Sequence, residues 1–321
     1  VRRFVFFLLV LFWATALRGE PVALRAVPVP LNPEAPDQVW VGALAFLAGF
    51  DLRVADARFA GWSGLDLADG GTALLAVSDL GHWLSARLHH DRDGRLTGID
   101  NAGLTPLRQP GGAASRSKRD NDAEALRRDR DGSWLVAFEL RHRLLRYRPG
   151  PDGLPGTPLP VAAPADFADQ PANGGAEAIV VLPGGAVVLL SEEGRNAAGD
   201  GRGWLRDSAG RWHGLAYRLT EPFRPVDAAL LPGGDLLVLE RRFTRVGGIG
   251  ARLVRVRHDT IVPGAVLQGE EVANLAPPLS IDNFEALAVR PAPSGGALVY
   301  LLSDDNASPW QRTLLLQFRL D

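Results

Sequence analysis

The sequence predicts an all-β fold, a β-propeller with five blades favoured and its ring closed by the N-terminal strand. Three observations carry that expectation. One hairpin phrase occurs five times. Its copies recur every 50–60 residues without helical periodicity. The last copy runs out of chain after its third strand, while an unassigned strand precedes the first copy.

The phrase is an acid, a short apolar run, a turn, a second apolar run and a second acid. Its fullest copy is Asp120-Asn121-Asp122-Ala123-Glu124-Ala125-Leu126, closing on Phe138-Glu139. It returns at Gly175-Ala176-Glu177-Ala178-Ile179, closing on Ser191-Glu192-Glu193. It returns at Pro225-Val226-Asp227-Ala228-Ala229, closing on Leu239-Glu240-Arg241-Arg242. The fifth is Asp282-Asn283-Phe284-Glu285-Ala286-Leu287, closing on Ser303-Asp304-Asp305-Asn306. A variant first copy is Trp62-Ser63-Gly64-Leu65-Asp66, closing on Ser78-Asp79. With Gly64, Glu124, Glu177, Asp227 and Glu285 as opening positions, the spacings are 60, 53, 50 and 58.

Each unit divides further. The turns Asp131-Gly132, Pro183-Gly184-Gly185 and Pro232-Gly233-Gly234 join antiparallel strands, because glycine takes positive φ without strain. Third strands follow at 143–147, 252–256 and 313–318, and weaker fourth strands at 159–162, 212–219 and 268–275. The strand at 39–47 has no unit of its own. As the missing outer strand of the last blade it leaves no open sheet edge. A degenerate sixth blade around 36–60 and an open β-sandwich are the alternatives.

Composition narrows the function. The 321 residues are 46% hydrophobic, enough for one large core. A net charge of -2 gives no global field for nucleic acid. The absence of cysteine removes disulfides, thiolate metal sites and cysteine nucleophiles. Residues 1–19 read as a signal peptide: Arg2 and Arg3 precede an apolar run at 4–17, too short for an ordinary membrane span. An uncleaved anchor is the alternative. Residues 20–37 read as a Pro-rich lead-in, and 38–321 as a single propeller domain. The expected location is periplasmic or secreted, with no membrane span after signal removal, and the expected state is a monomer.

In a hairpin the start of one strand lies beside the end of the next. Glu124 is therefore expected near Glu139, Glu177 near Glu192, Asp227 near Glu240 and Glu285 near Asp304. In a propeller these acids gather at one channel mouth. Converging carboxylates repel unless neutralised. A hard cation, calcium before magnesium or manganese, suits oxygen ligands without histidine or cysteine. Arginine pairing that locks blade to blade is the alternative.

Other chemistries are less supported. The six histidines show no zinc spacing, and no G-x-S-x-G elbow is present. Nothing selects Ser63, Ser78, Ser191 or Ser303 as a nucleophile. The run at 116–119 reads as a solvated basic loop.

At Trp62-Ser63-Gly64-Leu65, Ser78-Asp79, Asp122-Ala123-Glu124-Ala125-Leu126, Asp227-Ala228-Ala229-Leu230-Leu231-Pro232, Leu239-Glu240-Arg241-Arg242-Phe243, Asp282-Asn283-Phe284-Glu285 and Ser303-Asp304-Asp305-Asn306, the chain resembles a known family. It is similar to the phytase-like proteins described as having esterase-like activity of phytase, which are exported bacterial β-propellers. The resemblance covers about residues 40–320. It implies a hydrolase of phosphate or carboxylate esters, with calcium in an acidic mouth. It carries over no catalytic residue, because no motif here matches the β-propeller phytases position by position.

Together these readings predict an exported, calcium-dependent hydrolase of phosphate esters. Asp122, Glu124, Glu177, Asp227, Glu285 and Asp304 are the expected metal ligands, with Glu124 and Glu285 as catalytic groups. Arg141, Arg195, Arg241 and Arg242 are expected to hold phosphate oxygens. The partner is a small-molecule ester or phosphoester, with no nucleic acid. A calcium-dependent carboxylesterase or lactonase and a non-catalytic binding propeller are the alternatives.

Overall fold

Five hairpin units become five antiparallel blades around one axis. The structure, a computed structural model, describes residues 19–244 and 247–321. The expected signal segment falls on 1–19, of which 1–18 lie outside the described residues.

The innermost strands are Trp62–Ala68, Ala123–Arg128, Ala176–Val181, Arg224–Leu230 and Asn283–Pro291. Each packs beside the next, and the fifth packs beside the first. Small residues allow this approach near the axis. A Cβ at Gly64 would come within 2.5 Å of the Leu126 Cβ, closer than carbon atoms tolerate. Ala125, Ala178, Ala228 and Ala286 hold similar inner positions and are fully buried.

Outward from the second inner strand come Trp134–Phe138, Arg143–Tyr147 and Leu159–Val161. The fourth blade likewise adds Leu236–Thr244, Gly248–Val256 and Glu270–Leu275. Apolar side chains between adjacent blades form the core. Trp83 and Tyr147, for example, meet edge to face at 5.2 Å across the first two blades.

The ring closes as the missing strand requires. In the fifth blade, Thr313–Leu320 pairs with Leu44–Val54, which pairs in turn with Leu24–Pro28. The closing strand thus starts later and runs longer than the expected 39–47. Residues 36–60 form no sixth blade. The Pro-rich lead-in also joins the fold: Glu20–Pro21 extends the outer edge of the first blade. It ties the first and last blades together and covers edges that would otherwise present unpaired backbone groups.

Every blade carries a β-bulge near the start of its inner strand. Pairing skips Ser63, Glu124, Glu177, Val226 and Glu285. A bulge inserts one residue and re-aims side chains. The bulge position holds glutamate in three blades, serine in one and valine in one.

Candidate active site

The three bulge glutamates are brought together at one end of the channel. Glu139 follows the strand paired with the Glu124 strand. Glu192 sits beyond Ser191, whose partner is Ala176. Asp304 pairs with Asn283. The expected neighbours Glu124–Glu139, Glu177–Glu192 and Glu285–Asp304 therefore meet. With Asp79 and Asp122 the mouth holds eight carboxyl groups.

Their protonation reflects the crowding. Burial pushes Glu124 well above the carboxylate range, reinforced by Glu139, Asp122 and Asp79. Burial does the same to Glu177, reinforced by Glu192, Glu139 and Glu285. Burial raises Glu139 to about 7, against the N–H of Gly175, which donates to its Oε1. Burial raises Glu285 to about 8 against the pull of Arg241, with Asp304 and Glu192 adding to the rise. Asp304 is pushed to about 7 by burial, against the Asn306 N–H donated over 2.7 Å. Like charges around the ring each favour a neutral neighbour.

Two side-chain cations enter this ring. Arg241 donates to Glu192 Oε1 at 2.7 Å and to Asn283 Oδ1 at 2.8 Å, and lies 2.9 Å from Glu285 Oε1. Asn283 also donates to Glu285 Oε1 at 2.8 Å. Lys118, on the short helix Lys118–Asn121, reaches both Asp79 and Asp122. Residues 116–119 are thus not simply a solvated basic loop. Lys118 is a mouth residue that spacing did not reveal.

Asp79, Asp122 and Glu124 can each offer an oxygen within 4.8 Å of the others. Asp79 Oδ1 is buried and accepts no hydrogen bond among the described residues. All donors in this trio are hard oxygens. The trio fits a hard divalent cation such as calcium. Asp79 was legible as the closing acid of the first repeat, but that variant copy has no glutamate to draw attention to it.

Asp227 is placed elsewhere. It lies one position past the bulge, where Val226 takes the place of the glutamates. Its carboxylate accepts from Arg127 at 2.8 Å and from the N–H groups of Ala228 and Leu287, both at 2.7 Å. Arg127 also donates to carbonyls of Ile179, Ala228 and Leu287, so it crosses between inner strands of three blades. Burial lifts Asp227 to about 6 despite Arg127 and both backbone donors. This pair plugs the channel and leaves Asp227 no free edge for a metal. Glu240 turns away as well, held by Tyr217 Oη at 2.7 Å and Arg252 Nε at 2.6 Å.

The four expected phosphate arginines form no single cluster. Arg141 lies on Asp120 at 3.4 Å. Arg195 binds the carbonyls of Glu192 and Gly194 and the carboxylate of Glu193. Arg242 donates to Gly247 O at 2.8 Å and lies over Phe223. Of the four, only Arg241 enters the acid ring, and both of its terminal nitrogens are engaged there.

The recurring serines are structural. Ser78 donates to Ala60 O and accepts from Leu80 N. Ser191 and Ser303 repeat this use with Gly174 O and Gly194 N, and with Arg312 O and Leu314 N.

The profile of a family described as "Phytase-like: Esterase-like activity of phytase" matches residues 57–307. An α-L-arabinofuranosidase catalytic domain from Coprinopsis cinerea superposes with a TM-score of 0.52 at 12% identity, over 90% of this chain and 98% of that one. At that identity the likeness concerns the fold alone. Virginiamycin B lyase from Staphylococcus aureus gives 0.40 at 11% identity, over 93% and 100%. No curated protein matches the sequence. Among the described residues, no helix is long and apolar enough to cross a membrane.

Proposed function

This chain belongs to the phytase-like family, and we propose that it is an exported, divalent-cation-dependent hydrolase of ester bonds, with calcium as the cation. The convergence of Asp79, Asp122 and Glu124 carries this reading. Export rests on the charged and apolar pattern of residues 2–17.

A bound divalent cation supplies a lower pKa for water and positive charge beside a developing oxyanion. Asp79, Asp122 and Glu124 would hold it. Hydrolysis breaks the bond between the acyl carbon and the leaving oxygen, and forms one from that carbon to the oxygen of water. One proton of water passes to a base, and a proton returns to the leaving alcohol. Glu139 is suited to that exchange. Burial raises its pKa, which favours proton uptake near neutrality. The Gly175 N–H fixes one of its oxygens. Glu285, expected as a catalytic group, is held by Arg241 and Asn283 and serves to position the ring.

The engaged arginines favour a carboxylic ester or lactone over a phosphate ester. In the ring a phosphate would meet mainly carboxyl groups, with Arg241 already committed to Glu192, Glu285 and Asn283. Phosphate esters are the second reading, favoured by the excess of carboxyls, which has room for more than one divalent ion.

The test is hydrolysis of 4-nitrophenyl acetate and 4-nitrophenyl phosphate by the purified protein, with calcium or with EGTA, beside a calcium titration. Calcium-dependent release from the acetate, lost in Asp122→Asn, supports the proposal. Faster release from the phosphate selects the second reading. Calcium binding without turnover makes the mouth a ligand-binding site. No calcium binding removes the cation from the account.

A further inference from the structure

A cleft of about 750 Å³ opens beside the acid ring. It shares Glu192, Arg241 and Asn283 with the ring. Its outer wall differs in character. Trp310 is 91% exposed and Phe243 77% exposed, and Ile249 and Ile281 lie with them. Single surface apolar residues are ordinary. Two wide-open aromatic rings lining one cleft beside a polar site are the arrangement of a ligand pocket.

Both arginines lining the cleft are engaged by carboxylates. Arg241 is bound to Glu192 and Glu285. Arg224 lies on Glu193 at 3.0 Å and on Glu221 at 2.9 Å. Asp282 accepts the N–H groups of Arg312 and Asn283. The lining carries three carboxylates and two arginines, so no unpaired cation is left there to recognise an anion. Asn306 and Gln311 add polar groups, joined to each other over 3.2 Å.

The Trp310 loop is also built rather than loose. Asn306 and Ala307 both take φ of 49°, a left-handed conformation disfavoured for alanine. They are held there because Asn306 N–H donates to Asp304 and Ala307 N–H to Asp305. Strain of this kind persists only where surrounding bonds enforce it. The loop that presents Trp310 is thereby tied to Asp304 of the acid ring.

The geometry points to a binding site for the uncharged aryl part of an ester substrate, stacked on Trp310 and Phe243 beside the acid ring. This rests on the hydrolase reading above and narrows its substrate to neutral aryl esters.

Acetanilide, an amide isostere of phenyl acetate, tests binding apart from turnover. Isothermal titration in EDTA compares the wild type with Trp310→Ala, Phe243→Ala and Trp40→Ala. Trp40 is an exposed aromatic on the outer edge of the fifth blade. Acetanilide is expected to bind the wild type and Trp40→Ala alike. Either cleft substitution should raise Kd by about three- to tenfold, the range for loss of one aromatic contact. Phenyl phosphate and methyl glucoside should bind more weakly than acetanilide. Absent binding to the wild type, unchanged binding in both cleft variants, or tighter binding of either comparison compound overturns the inference. Turnover of 4-nitrophenyl acetate is measured in parallel with calcium. Turnover without acetanilide binding overturns the aryl site and leaves the hydrolase. Trp310-dependent binding without turnover of either nitrophenyl ester supports the cleft and overturns the hydrolase.

Discussion

On one side of the channel mouth a lysine meets the carboxylates; on the other side an arginine does. Arg241 comes from the long strand Leu236–Thr244, its side chain is 24% exposed, and its fork meets Glu192, Glu285 and Asn283. Lys118 comes from a four-residue helix, its side chain is 50% exposed, and it meets Asp79 and Asp122 as a point charge. A planar fork with matched acceptors is a fixed structural part. A half-solvated ammonium on a flexible stem is displaceable. The lysine side also holds the trio Asp79, Asp122 and Glu124. On the proposed reading a divalent cation would enter at the weaker clamp, while the stronger one keeps the ring in shape.

The largest expected effect breaks the stronger clamp. Arg241→Met leaves Glu192 and Glu285 buried without their partner. Stability should fall by about 3–5 kcal/mol, as for other broken buried pairs. Chemical denaturation checks this. Arg241→Lys should recover only part of the loss, because an ammonium cannot reproduce the fork. Full recovery by lysine would make the two sides equivalent and end the contrast.

The next effect is pH dependence without calcium. Glu139 and Asp304 are raised to about 7 and Glu285 to about 8. A raised carboxyl keeps its proton in the fold where the unfolded chain has already lost it. The stability these groups contribute is present at low pH, and it declines as pH rises from about 4.5 towards 8. Thermal melting in EGTA should show Tm falling across that window. Calcium should flatten the fall, because it compensates the ionised ring. A Tm that rises with pH in EGTA would mean that the two cations already neutralise the mouth.

A smaller effect sharpens the weaker clamp. Lys118→Met removes the charge that competes with a cation. Calcium affinity should rise tenfold or more, because a unit charge about 4 Å from a divalent ion costs roughly 2 kcal/mol even at the dielectric of water. Titration calorimetry measures it. Weaker calcium binding would show instead that Lys118 organises the trio.

The contrast explains what the sequence could disclose. The blades are legible because a hairpin is a local event: Pro183-Gly184-Gly185 turns the chain wherever it occurs, and the apolar runs on either side must pair. Closure is legible from a strand deficit at one end and a surplus at the other. The acids at Glu124, Glu177 and Glu285 are legible because each blade repeats its bulge. The bulge itself is not written in residue type, so spacing alone placed Asp227 where Val226 belongs. A one-residue slip sends a strand side chain to the opposite face. That slip separates a mouth acid from the buried partner of Arg127. Lys118 was hidden for another reason. It lies outside the repeat, and only the tertiary fold brings its helix over Asp79. Ion pairs across blades have no sequence period, so the clamps and the arginines' partners had to come from the structure.

The arginines outside the clamp give the smallest expected effect and a sharp test of the substrate. Arg141 is 63% exposed at the side chain and faces Asp120 at 3.4 Å. The side-chain bond of Arg195 goes to Glu193, itself half exposed. Arg242 is held by a loop carbonyl and a ring. Exposed pairs of this kind contribute about 0–1 kcal/mol. Arg141→Ala, Arg195→Ala and Arg242→Ala should each shift stability by no more than that, and should leave calcium-dependent acetate-ester turnover unchanged. Phosphate-ester turnover is the discriminating readout. If these arginines held phosphate oxygens, losing one charge-assisted pair of about 1.5–3 kcal/mol would lower it tenfold or more. Such a drop would mean that the side chains leave their present partners when substrate arrives, and would turn the reading towards phosphate esters.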